Sequence, residues 1–405
     1  MKNRTRFSCR SFMTGLAGIF IAVALLTLTG PGTALAAAGT SGGTTIHNWV
    51  SVSYTSGTFT PPAVTAFVDV TVITVASAAT ITTPAGKTVI PGAFVTYSST
   101  VFSNANGIDT YNLGPASPTT SVSGISGSPA TALNGGAAIT LWGGITVGAA
   151  SSGQAVLSFP GGSLTGSGLV NGSKIVILGT VYTVSSISVG SPNTNVGGTS
   201  NEALGTITLT TNLASAVAAG TQVGEQKSFA ITFTAGNPTA AGTDGIYNTV
   251  VTATTTATTL AGATQSVSTT GTQTVVESPK LTITKAFKVV ASGTAVPATV
   301  TPGSYTGGQA KPGQVIEYLI TIVNNNTNVL SAASNVTVTD PISSPYVTYV
   351  ANSTYSANGN TTLGAVADPS LGVSKLVGGY TFGSSIAGGN NAGATAYIIY
   401  QVLVQ

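Results

Sequence analysis

Lys311-Pro312-Gly313-Gln314-Val315-Ile316-Glu317-Tyr318-Leu319-Ile320-Thr321-Ile322-Val323-Asn324 decides how this 405-residue chain is read. Pro-Gly marks a turn, and a run of β-branched, aromatic and aliphatic residues leads from it to an asparagine. A period of two places Ile316, Tyr318, Ile320 and Ile322 on one face, the core face, and Glu317 and Thr321 on the other. Downstream, an asparagine-rich turn spans 324–328. Asn335-Val336-Thr337-Val338-Thr339 is a strand stopped by Asp340-Pro341. Tyr346-Val347-Thr348-Tyr349-Val350 is another strand, and the chain closes on Ala396-Tyr397-Ile398-Ile399-Tyr400-Gln401-Val402-Leu403-Val404. The same short strands between Gly, Asn, Pro and Ser clusters recur throughout, with no helical stripe, so the chain reads as all-β.

The order of these signals carries a resemblance. Pro-Gly, a tyrosine six residues after the proline, Thr-Ile-x-Asn, Asn-Val-x-Val-x-Asp and Tyr-Val-x-x-Ser succeed one another over residues 280–405. This resembles the repeat called domain of unknown function 11. The resemblance implies an immunoglobulin-like sandwich of secreted and surface proteins, often in tandem. It implies no catalytic residues.

A fainter copy lies upstream. Pro91-Gly92-Ala93-Phe94-Val95-Thr96-Tyr97 repeats the spacing from Pro-Gly to Tyr, and Phe229-Ala230-Ile231-Thr232-Phe233 resembles the late strand. The expected architecture is two immunoglobulin-like β-sandwiches in tandem, over 77–278 and 279–405. The first carries a long β-rich insertion at about 150–225, a small subdomain standing out from it. Within the insertion, residues 174–184 read as a hairpin and 207–210 as a further strand.

One piece occurs twice. Ile46-His47-Asn48-Trp49-Val50 and Ile246-Tyr247-Asn248-Thr249-Val250 lie 200 residues apart, each after a Gly/Thr stretch and before a second apolar strand. The downstream copy comes after the late strand of the first sandwich and closes it. The upstream copy, within a hairpin over 37–76, has no sandwich before it, while the second sandwich ends on its late strand without a closing hairpin. A lone two-stranded hairpin is marginal in water, and an open sheet edge invites another strand. The expectation is donor-strand complementation between copies, a head-to-tail homopolymer. Its donor residues are Ile46, Asn48, Trp49, Val50, Val52 and Tyr54, and its acceptor residues are Tyr397, Ile399, Val402 and Val404, with Gly39 to Gly43 as the hinge. The alternative is a non-filamentous surface-layer or adhesin-like protein whose hairpin pairs within its own chain.

Composition fits a protein that packs against its kind. Charged residues make up 5% of the chain, against roughly 25% in an ordinary globular domain. Lys2, Arg4, Arg6 and Arg10, an apolar run, and Ala34-Leu35-Ala36 read as a cleaved secretory leader, residues 1–36. Without it, eight basic residues face nine acidic ones, a net charge of −1. The formal +3 of the whole chain belongs to the leader, and no basic patch offers itself to nucleic acid. No second apolar run of about 18 residues predicts a membrane span. The lone Cys9 leaves with the leader, so no disulfide is expected.

Catalytic signatures are missing. The single His47 sits in the donor strand, which excludes a His/Cys metal site. No nucleophile-elbow motif frames a serine, and the carboxylates are scattered, with no calcium-loop run. The expectation is a secreted, extracellular, non-enzymatic protein without cofactors. Its partners are itself and, further, other surface proteins or glycans. Lys285, Lys288 and Glu317 raise the thought of an intramolecular isopeptide link, but the last strand offers no asparagine to complete one.

Overall fold

The computed structural model describes residues 39–56, 58–115, 117–190, 203–342, 345–370 and 372–405. The expected leader, residues 1–36, lies outside them. The described chain opens with a two-stranded ribbon, β1 (Thr45–Val52) and β2 (Val64–Thr71). The first sandwich begins with β3 (Thr80–Ile81), β4 (Lys87–Val89), β5 (Phe94–Phe102), β6 (Asp109–Gly114), β7 (Thr119–Ser123), β8 (Thr131–Asn134) and β9 (Ala138–Leu141). An insertion comes next: β10 (Gly143–Ile145), β11 (Val156–Phe159), β12 (Lys174–Ile177), β13 (Thr180–Ser188) and β14 (Gly205–Leu209). Long β15 (Gln222–Thr234) returns to the sandwich. A second ribbon then runs out through β16 (Gly245–Thr249) and β17 (Thr252–Thr255) and back through β18 (Ser266–Ser268) and β19 (Thr272–Val276). The second sandwich holds β20 (Leu281–Val290), β21 (Val315–Asn324), β22 (Thr337–Val338), β23 (Val347–Tyr349), β24 (Tyr355–Asn358), β25 (Gly364–Ala365), β26 (Tyr380–Thr381) and β27 (Thr395–Val404). The protein is all-β, built as two sandwiches in tandem.

The first sandwich buries the alternate residues of its strands. Val95, Tyr97 and Val101 of β5 meet Phe229, Ile231 and Phe233 of β15 and Tyr247 of β16, with Phe233 edge-on to Tyr247 at 5.5 Å. The insertion has a core of its own around Trp142, Phe159, Ile175 and Val223, and it is joined to the sandwich through a shared strand. The first half of β15 pairs with β10 and β12, and its second half with β5 and β8. One thirteen-residue strand thus carries both cores, and the sheet runs on without a break. Just past the end of β5 two backbones come close together. A Cβ at Gly224 would run into the carbonyl oxygen of Ser103, so a residue without a side chain is needed there.

In the second sandwich the main sheet runs β20-β21-β27-β24-β25, and the facing layer is only β22-β26. Ile316, Tyr318, Ile320 and Ile322 pack into the core with Ile398, Tyr400 and Phe382. The face shared by Glu317 is buried too. The segment between β20 and β21 folds over it, packing Val296, Val300 and Tyr305 on Leu319 and Ile399.

Candidate assembly site: a free ribbon and an open slot

β1 and β2 pair antiparallel from Thr45↔Thr71 to Val52↔Val64, and among the described residues they form a sheet with no third strand. The register collects Ile46, Asn48, Val50 and Val52 with Val64, Ala66, Val68 and Val70 on one face. Seven of these eight are apolar, and they stand in solvent: Ile46 is 49% exposed, Val50 58%, Val52 56% and Val68 56%. Trp49 pairs with Phe67, and Tyr54 lies beyond β1, exposed. On the other face His47 Nδ1 lies 2.5 Å from Asp69 Oδ1, with its ring 5.0 Å from that of Phe67.

The ribbon's root is clamped, which corrects the expected glycine hinge. Ser41 is buried, its hydroxyl accepting from Ile145 N at 2.8 Å and donating to Ile145 O at 3.2 Å. Asn106 binds both strands: its Oδ1 accepts from Val75 N at 2.7 Å and its Nδ2 donates to Thr40 O at 3.1 Å. Gly107 lies so close to Thr74 and Gly42 that a Cβ there would collide with the Thr74 hydroxyl. The clamp fixes where the ribbon leaves the first sandwich and leaves its apolar face uncovered.

The second ribbon, β16–β17 with β18–β19, occupies the matching place in the first sandwich. β16 lies between β19 and β7, β17 between β18 and β6, and β19 runs parallel to β4. Tyr247, Val251, Ala253 and Val276 point into the core. The 200-residue correspondence therefore fails in face. Tyr247 and Val251 stand where the first copy has His47 and Ser51, while Ile246 and Asn248 turn outward.

The second sandwich has the slot without the ribbon. Its β22 pairs with β26 as β6 pairs with β9, but where β17 lies beside β6, no described strand lies beside β22. The space is a groove of about 330 Å³ between β20 and β22, lined by Leu281, Ile283, Ile322, Val336 and Val338. Leu281 is 43% exposed and Ile283 64%. A neighbouring hollow at the junction of the sandwiches involves Pro279, Leu281, Ala333 and Val336. Further along the core face of β20, Lys285 Nζ binds Asp340 Oδ2 at 2.6 Å and sits 4.7 Å from the Tyr318 ring. Tyr400 donates its hydroxyl to the same Oδ2 at 2.7 Å. Burial first, and then the Asp340 carboxylate, raise the Tyr400 pKa far above that of a free phenol.

The expected acceptor residues are corrected by this arrangement. Tyr397, Ile399, Val402 and Val404 lie on β27, which pairs with β21 on one side and with β23 and β24 on the other. A strand paired on both sides has no amides or carbonyls to offer, and Ile399 and Val402 are buried. Among the described residues β22 is one strand with an unpaired edge, and that edge borders the groove. The sequence carries a signal for this in Leu281 and Ile283, apolar residues at alternate positions of a strand whose face has no cover.

Among the described residues no group of three His, Cys, Asp or Glu side chains could hold a metal, and no helix is long and apolar enough to cross a membrane. Among the described residues His47 Nε2 is buried and has no hydrogen-bond partner.

No family model matches the chain, and no curated protein matches it. Seven chains of solved structure match in shape. One is the wild-type C-terminal domain of the AgI/II polypeptide BspA of Streptococcus agalactiae, at 10% identity and a TM-score of 0.25 over 80% of this chain and 88% of that one. A likeness that slight transfers neither topology nor function.

Proposed function

We propose that this is a secreted structural protein of the cell surface that assembles head to tail, each copy laying its β1–β2 ribbon into the β20–β22 groove of the next. The observation that carries the reading is the pairing of defects: an apolar ribbon face in solvent and an apolar slot with an unpaired edge. The filled slot of the first sandwich is an example of a ribbon held beside the strand that corresponds to β22, there with the opposite alternation facing inward. The resemblance of residues 280–405 to domain-of-unknown-function-11 repeats agrees with this architecture and location.

Magnitudes say which forces are needed. The six larger apolar side chains of the ribbon face, all but Ala66 and each about half exposed, would contribute of order 4–9 kcal/mol on burial. Association costs about 4–15 kcal/mol, so burial alone leaves the contact weak. Main-chain bonds to the β22 edge, at about 0.5–1.5 kcal/mol each, tip the balance, which is why an open edge matters as much as the groove. Both contacting surfaces are different on one molecule, so the contact is heterologous and propagates unless its rotation closes a ring.

The test is sedimentation and negative-stain microscopy of the mature chain beside a variant lacking residues 45–71. Filaments or long oligomers are expected from the first and folded monomers from the second. Filaments that form without the ribbon overturn the proposal. A mature chain that stays monomeric at high concentration replaces it with the adhesin-like, non-filamentous alternative.

A further inference from the structure

We propose that the second sandwich cross-links itself through an amide bond between Lys288 Nζ and Gln401 Cδ, with Glu317 as the proton shuttle. Three neighbouring strands place these residues in one row: Lys288 of β20 is opposite Glu317 of β21, and Glu317 is opposite Gln401 of β27. Lys288 Nζ lies 2.9 Å from Glu317 Oε1. Gln401 Nε2 donates to Glu317 Oε2 at 2.7 Å. One carboxylate thus holds the amine and the carboxamide that would join. Glu317 is fully buried and Gln401 3% exposed, beneath the segment that carries Tyr305. The Tyr305 hydroxyl donates to Glu317 Oε1 at 2.7 Å, its ring lies 4.6 Å from Lys288 Nζ, and Gln401 Nε2 also reaches Thr294 O at 3.2 Å. Burial and then Glu317 raise the Tyr305 pKa, so the phenol remains a donor to the shuttle.

The sequence argued against such a link because β27 has no asparagine. The fold supplies the reason a glutamine serves. Lys288 and Gln401 stand two strand spacings apart, roughly 9.6 Å of backbone separation, and only two long side chains meet across that gap. The chemistry balances without a co-reactant. Glu317 takes one proton from the Lys288 ammonium, and the freed amine adds to Gln401 Cδ. Glu317 relays a second proton from the new C–N bond to Nε2, the Cδ–Nε2 bond breaks, and ammonia leaves with the first proton as ammonium. Glu317 ends as it began. The product ties the first strand of the sheet to its last across β21. A chain without disulfides, whose second sandwich has a thin facing layer, would gain a covalent brace there.

The experiment is intact mass spectrometry of the folded mature chain. The expected mass is lower than the sequence mass by one ammonia, with a protease-resistant peptide joining Lys288 to Gln401. Lys288→Met, Gln401→Leu and Glu317→Gln are each expected at full sequence mass, with Glu317→Asp restoring part of the loss. A folded wild-type chain at its full sequence mass, with the two residues recovered on separate peptides, overturns the proposal even where the variants fail to fold. The outcome does not depend on assembly, since the row lies on the face of the sheet away from the groove.

Discussion

In the first sandwich β6 is held on both sides, by β9 and by β17; in the second its counterpart β22 has β26 on one side and a groove on the other. The main sheets differ in the opposite sense. β3 contributes two residues beside β5, whereas β20 contributes ten beside β21. The outer face of β21 and β27 is covered by Val296, Val300 and Tyr305, so the second sheet is packed on both faces. The second sandwich therefore does not depend on the missing ribbon for its own fold. Its main sheet is packed on both faces, and the slot between β20 and β22 stays open.

Substitutions on the two sides of this contrast should part company. Tyr247→Ala, in the ribbon already seated, removes a buried ring that packs on Phe233 and whose hydroxyl accepts from Gly236 N at 3.0 Å. A loss of about 3–5 kcal/mol is expected in denaturant unfolding. Ile283→Asp, in the empty slot, changes an exposed side chain and should alter monomer stability by less than about 0.5 kcal/mol. Its effect falls on assembly, because seating the ribbon would then bury an unpaired carboxylate; association more than ~100-fold weaker is expected by sedimentation. Equal losses of stability in the two variants would erase the distinction between a filled slot and an empty one.

The face of the ribbon is the next point at issue. Val50→Asp lies on the apolar face and Ser51→Asp on the opposite one, and each alters a side chain already in solvent. Assembly should be lost in the first and kept in the second. The reverse result would mean that the ribbon docks as β16 and β17 do, with the positions of His47 and Ser51 inward.

Much of the fold was legible because its signals are local. The period of two in residues 315–324 was enough for β21 and its core face, and the hairpin of β12 and β13 could be read from residues 174–184. The features that were not legible depend on distant partners. Nothing local distinguishes β27 as a central strand, since Tyr397, Ile399, Val402 and Val404 would alternate the same way at an edge. Which face of a ribbon turns inward is set by the layers around it, so the repeat alone does not tell how Ile46 and Asn48 face from how Ile246 and Asn248 do. Gln401 carried no signal at all until the register put it beside Glu317.

A smaller effect would show whether filling the slot is a local matter. Joining residues 45–71 behind Gln405 through a flexible linker, in a chain whose own ribbon is removed, should seat the ribbon within one molecule. Monomers are then expected, melting a few degrees higher than the ribbonless chain, since ~1 kcal/mol of added stability moves the midpoint by about 2–4 °C in a domain of this size class. An unchanged midpoint would mean that the groove does not hold the ribbon.

The smallest effect concerns the rim of the slot. Where the seated ribbon ends and β20 begins, Asp244 accepts from Ser278 N at 3.2 Å and pairs with Lys280 Nζ at 3.0 Å. Burial pushes this carboxyl up, but the bonds from Lys280 and Ser278 outweigh it and hold the group below the ordinary aspartate range. A carboxyl with a depressed pKa stabilises the fold above its unfolded value, and that contribution is lost as pH falls through the folded one. The part of the Ser278 amide shift that comes from Asp244 should therefore appear below the range where free aspartates titrate. Asp244→Asn should abolish the shift. Ser278 and Pro279 line the hollow beside the groove, so loosening this corner should act on that end of the slot. The contribution of this corner to ribbon binding should thus be lost below the range where free aspartates titrate, while the Tyr247 ring, sealed in its own core, keeps its environment. A Ser278 shift at ordinary carboxylate pH would mean that the corner is not held by this pair.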